Sequence, residues 1–173
     1  MMHVWRGLAL ALAGLWSAAV CAQPGGTAAF EDENVVKAAI ARINAESFQN
    51  ARVSVASFHK RVLLTGEVPS DSVRAQAEKV VAGVPDIRGI DNELAIGPII
   101  GMSTRTRDSW ITSDVKFRLL KNGFGRDAVR VVTEGGTVYL MGAVTRKDGA
   151  AAGEVASTTE HVQRVVLTFE YID

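Results

Sequence analysis

Cysteine, histidine and charge imbalance are all scarce in this chain, and each scarcity removes a class of function. Of its 173 residues one is a cysteine, Cys21, and three are histidines, His3, His59 and His161. A lone thiol excludes an intramolecular disulfide. Neither His59 nor His161 has a second histidine or cysteine at ligand spacing, so no metal and no other cofactor is expected. Nineteen lysines and arginines are balanced by nineteen aspartates and glutamates. Such a balance leaves no footprint for nucleic acid, whose phosphates call for a clustered basic face. Aromatics amount to 6%, so any aromatic turned outward stands out.

Long uncharged runs are also scarce. The clearest follows Arg6, from Gly7 to Ala22. It is shorter than the roughly 20 apolar residues that cross a bilayer, and it ends in Val20-Cys21-Ala22, the pattern of an export signal cut before Gln23. Residues 1–22 are therefore read as a signal peptide and the remainder as exported. Cys21 also stands where a lipoprotein carries its acylated residue, although Val20 and Ala18 occupy places where a lipobox favours a small residue and Leu. Cleavage after Ala22 gives a soluble mature chain without cysteine; a lipid anchor at Cys21 is the alternative.

What is present is a repeat. Residues 52–68 align without a gap to residues 128–144, so that Val53, Val55, Val62, Leu64, Gly66 and Val68 meet Val129, Val131, Val138, Leu140, Gly142 and Val144. Alternating β-branched residues around a polar break, His59-Lys60 and then Gly135-Gly136, predict a β-hairpin in each copy with one face toward a core. Helical spacing marks Asn34 to Glu46 before the first hairpin. Before the second it marks Ser109 to Asn122, with Asp108 as N-cap. Alanine-rich helices, Ser70 to Val84 and Arg146 to Glu160, lead to closing strands at Ile87 to Ile96 and Val162 to Ile172.

The expected fold is α/β (α+β): two tandem αββαβ modules, each a three-stranded mixed sheet covered by two helices. Boundaries are placed at 23–30 for a Gly- and Pro-containing spacer, 31–97 for the first module, 98–106 for a linker and 107–173 for the second. Each module is small enough that its core alone is marginal, so packing between them helps both.

The segments Val62-Leu-Leu-Thr-Gly-Glu-Val68 and Val138-Tyr-Leu-Met-Gly-Ala-Val144, each followed by an alanine-rich helix and a closing strand, resemble the BON family, named for bacterial osmoprotective and nodulation proteins. Within it, Asp108-Ser-Trp-Ile-Thr-Ser-Asp-Val-Lys-Phe-Arg-Leu-Leu120 is similar to the second module of dual-BON lipoproteins of the outer membrane. That resemblance implies periplasmic residence at the inner leaflet of the outer membrane and recognition of anionic phospholipid through the first helix of the second module. It also implies a part in envelope integrity under stress and enrichment at division sites.

The residues themselves point to the same helix. Ile111, Val115 and Leu119 suffice to cover a sheet, which leaves Trp110, Phe117 and Leu120 on the other side beside Lys116 and Lys121. Arg118 and Arg130 are additional cations nearby. In the first copy Val36 and Ile40 are matched to Ile111 and Val115, placing Arg42 opposite Phe117. An outward indole flanked by lysines suits an anionic headgroup layer. Two other occupants stay open: the first module itself, if Trp110 and Phe117 bury the module interface, or an envelope protein such as the outer-membrane assembly machinery, which would make the chain a soluble periplasmic stress-response module. No enzyme is expected. Ser109 and Ser113 lack a positioned histidine, and Glu67, Asp71 and Glu78 read as a solvated face, since Ala143 and Lys147 replace the first two in the second copy.

Overall fold

The structure, a computed structural model, describes residues 24–173, with side chains from residue 28 onward. The first module contains α1 (Pro24–Glu46), β1 (Arg52–Phe58), β2 (Arg61–Val68), α2 (Asp71–Ala82), β3 (Gly89–Asn92) and β4 (Ala95–Ile96). The second contains α3 (Met102–Lys121), β5 (Arg130–Glu134), β6 (Thr137–Val144), α4 (Arg146–Ser157) and β7 (Arg164–Tyr171). Both sheets are mixed. β1 and β5 run antiparallel to the central strands β2 and β6, while β3, β4 and β7 run parallel to them. β3 and β4 are two pieces of the expected closing strand, interrupted at Glu93-Leu94, whereas β7 is unbroken over eight residues.

Local chemistry explains the element ends. The hairpin turns place His59 and Lys60, and then Gly135 and Gly136, at positive φ, the geometry of a two-residue turn that matches strand twist. Ser70 caps α2 by accepting from the Val73 N–H. Thr145 accepts from the Asp148 N–H and returns its hydroxyl to the Asp148 carboxylate, a reciprocal cap for α4. A Cβ on Gly66 would lie 2.0 Å from the Arg52 carbonyl oxygen, and its φ is +119°. Only glycine fits that crossing of β1 and β2.

Both helices before the hairpins start earlier than their sequence patterns suggest, α1 at Pro24 and α3 at Met102. Proline suits a first helical turn, where its missing N–H has no partner to lose. Asp108 is therefore not an N-cap. It is buried within α3, and its carboxylate accepts from the Gly135 and Gly136 N–H groups at 2.9 and 2.8 Å. Asp32 does the same in α1, accepting from the His59 and Lys60 amides and from the Ser57 hydroxyl at 2.7 to 2.8 Å. This pair of aspartates sets the true helix register: Val35, Ala39 and Ile43, not Val36 and Ile40, correspond to Ile111, Val115 and Leu119, and all six are buried.

Each central strand is buried on both faces. Val62, Leu64 and Val68 face α1 and α2 in one core, and Val138, Leu140 and Val144 face α3 and α4 in another. The alternate residues Leu63, Tyr139 and Met141 form a third core with Ala56, supported by Phe58, Val132 and Val166. The two sheets thus meet through their helix-free faces, and each hairpin has two buried faces where one was expected.

Glu67 belongs to this junction and not to a solvated face. Arg52 donates to Glu67 of its own module at 3.3 Å and to Glu134 of the other, while the Ile100 N–H of the connecting segment also donates to Glu67. Burial pushes the pKa of the Arg52 guanidinium down, but the hydrogen bonds and charges of Glu134 and Glu67 outweigh it and leave Arg52 a firmer cation than usual. Glu134 moves up, chiefly because it is buried, against the pull of Arg52.

Candidate functional site

The helix α3 turns about 100° per residue, so the buried residues Asp108, Ile111, Val115 and Leu119 share one arc against β5 and α4. Trp110, Phe117 and Leu120 fall on the opposite arc. They retain 76, 58 and 41% of their accessible surface. Met102, 69% exposed, lies on the same arc two turns earlier. The sequence pattern marks the helix only from Ser109 onward, which leaves Met102 outside it. From Met102 to Leu120 the stripe runs about 27 Å, at 1.5 Å per residue.

The stripe has a basic setting. Lys116 and Lys121 are exposed, and the Lys121 ammonium sits 5.4 Å from the centre of the Phe117 ring, within cation–π range. The helix carries five basic and two acidic side chains, and both acids are occupied. Asp108 binds the hairpin turn, and Asp114 pairs with Arg118 at 3.1 Å. Arg118, which also donates to the Thr158 carbonyl, is engaged within the module. Arg130 is exposed at the start of β5.

The first module lacks these features at the same places. In the register fixed by Asp32 and Asp108, Asn34 stands for Trp110, Ala41 for Phe117 and Asn44 for Leu120. The earlier match of Arg42 to Phe117 is off by one residue. α1 carries four acidic residues against Lys37 and Arg42. Nor does the exposed stripe of α3 close the module interface, which is built from the sheets; Trp110 and Phe117 take no part in that third core.

Cys21 and the expected signal peptide, residues 1–22, lie outside the described residues. Among the described residues no helix is long and apolar enough to cross a membrane, and no three His, Cys, Asp or Glu side chains gather as metal ligands. Asp71 and Glu78 are exposed and separate from the buried Glu67, so no carboxylate cluster forms.

The repeated αββαβ order is matched by the family model described as BON domain, over residues 31–98 and 107–172. The chain belongs to the BON domain family. Its two BON modules align with the outer membrane lipoprotein DolP of Haemophilus influenzae at 36% identity over 148 residues, covering 85% of this chain and 74% of the relative. A 21 kDa hemolysin of Actinobacillus pleuropneumoniae is 34% identical over 130 residues, 75% of this chain and 67% of that one. An uncharacterised protein of Anaplasma centrale, from the gshII 5′ region, is 30% identical and is covered over 89% of its length. Among solved structures, a chain of CdsD, a structural protein of the type III secretion system of Chlamydia trachomatis, aligns with 80% of this BON protein at a TM-score of 0.35 and 11% identity.

Proposed function

We propose that this tandem BON protein is an envelope protein that docks on anionic phospholipid at the periplasmic face of the outer membrane and supports envelope integrity there. The observation that carries the reading is the outward arc of α3. Trp110, Phe117 and Leu120 lie in one line on a folded helix, with Lys116 and Lys121 beside them and polar or small residues at the same places in the first module. An exposed indole is costly in water and suited to a headgroup layer, where its apolar body is buried and its N–H stays wet. The similarity to an outer membrane lipoprotein supports the compartment. If Cys21 is acylated, the lipid chain and the α3 stripe are two membrane signals, and two are needed for firm anchorage.

Residues 23–173 can be co-sedimented with phosphatidylcholine vesicles that contain or lack phosphatidylglycerol. The expected result is binding that requires the anionic lipid, weakens with salt, and is lost in Trp110→Ala and Phe117→Ala proteins that remain folded. Failure of the folded parent to bind either vesicle ends the lipid reading and leaves an envelope protein as the partner.

A further inference from the structure

We propose that the second module grips one phospholipid phosphate in a depression at the C-terminal end of α3, between Lys116 and Arg126. The inference rests on the docking reading and deepens it, from adhesion along a stripe to capture of a single lipid. The depression measures about 100 Å³ and lies between the last turn of α3 and the loop that leads to β5. Leu119 and Val129 are buried at its base, Leu120 and Phe124 add apolar wall, and the exposed Lys116 and Arg126 stand at its rim.

Its chemistry selects an amphipathic anion. A phospholipid phosphodiester carries one negative charge and several acceptor oxygens next to apolar chains, which matches two cations above an apolar base. A bare anion gains nothing from Leu120 and Phe124. A neutral apolar molecule gains nothing from the cations. Among the described residues neither Lys116 nor Arg126 forms an ion pair, in contrast to Arg118, which Asp114 holds. The repeat supplies a control: Ile40 stands at the place of Lys116 and Asn50 at that of Arg126, while Ile43, Phe48 and Val53 keep the apolar base. The pocket floor is common to both copies and the cations belong to the second alone. Lys116 and Leu120 serve both the stripe and the depression, so a lipid held there comes from the layer on which the helix rests.

The test uses dihexanoyl phosphatidylglycerol below its micelle concentration, inorganic phosphate, and phosphatidylglycerol vesicles, with the parent protein, Arg126→Gln and the charge-matched control Arg107→Gln. The parent should bind the monomeric lipid saturably, followed by amide chemical shifts in residues 116–129, and inorganic phosphate should not compete. Arg126→Gln should weaken monomeric lipid binding about tenfold, the loss of one charge-assisted contact. Arg107→Gln should leave it unchanged and reduce vesicle binding no more than about fivefold, the general effect of one surface cation. Vesicle binding without saturable monomer binding, or equal losses in both variants, overturns the slot and leaves the docking stripe intact. Equal binding of inorganic phosphate overturns the assignment to lipid. Failure of the parent to bind vesicles removes the docking reading and this inference with it.

Discussion

Asp32 and Asp108 show how much a single side chain can organise. Each reaches from a helix to the two amides of a hairpin turn, so it ties the first element of its module to the two strands that follow. Asp108→Ala leaves two turn amides without their acceptor in a buried setting and should cost about 3 kcal/mol, measured by urea unfolding. A loss below about 0.5 kcal/mol, the usual scale of a surface change, would contradict the role. Sequence alone suggested the wrong use for Asp108, because an aspartate ahead of an amphipathic run is also the mark of an N-cap. Glu134 offers a pH test. Burial holds its carboxyl above the ordinary 4.5 despite Arg52, so the folded state binds its proton more tightly than the unfolded chain does. Its contribution to stability is therefore greatest at low pH and declines as pH rises above 4.5. Relative to Glu134→Gln, the parent should lose stability as pH is raised from 4.5 toward neutrality; a constant gap between the two unfolding curves would refute this.

At the scale of elements, strands were more legible than helix starts. Alternation around a short polar break, His59-Lys60 in one copy and Gly135-Gly136 in the other, marked both hairpins, since a period of two has few competing explanations. The first turns of α1 and α3 carry little apolar pattern, so nothing in them announced a helix. The outward faces of Trp110, Phe117 and Leu120 were legible, because three apolar residues on an already sufficient helix must point elsewhere. Met102 and Arg126 were not, one hidden by the misplaced helix start and the other lying in a loop without pattern. Because Trp110 and Phe117 make no core, Trp110→Ala and Phe117→Ala should change unfolding free energy by no more than about 0.5 kcal/mol. Thermal or urea unfolding of the vesicle-binding variants checks this, and a large loss would mean that α3 is held by its outer face as well.

For the whole molecule, the junction of the sheets decides cohesion. Leu63 of one module and Tyr139 and Met141 of the other are buried in one shared cluster, and their apolar character at alternate positions is the sign in the sequence that the hairpins have no wet face. Leu63→Ala should lower stability by about 2 to 5 kcal/mol. The parent should unfold in one transition followed equally by tryptophan fluorescence and circular dichroism. Two separated transitions would show that each module stands without its neighbour.

Back-to-back sheets, roughly 10 Å apart, also give the molecule two opposite poles. One helical layer carries the basic stripe of α3; the other carries acidic α1 and has no such stripe. When the basic pole lies on a bilayer, the acidic pole is held out into the aqueous space at a set height and orientation. On the proposed docking, a tandem repeat folded in this way would behave as a platform: one copy would hold the surface, and its sibling would be displayed above it for whatever approaches from the other side.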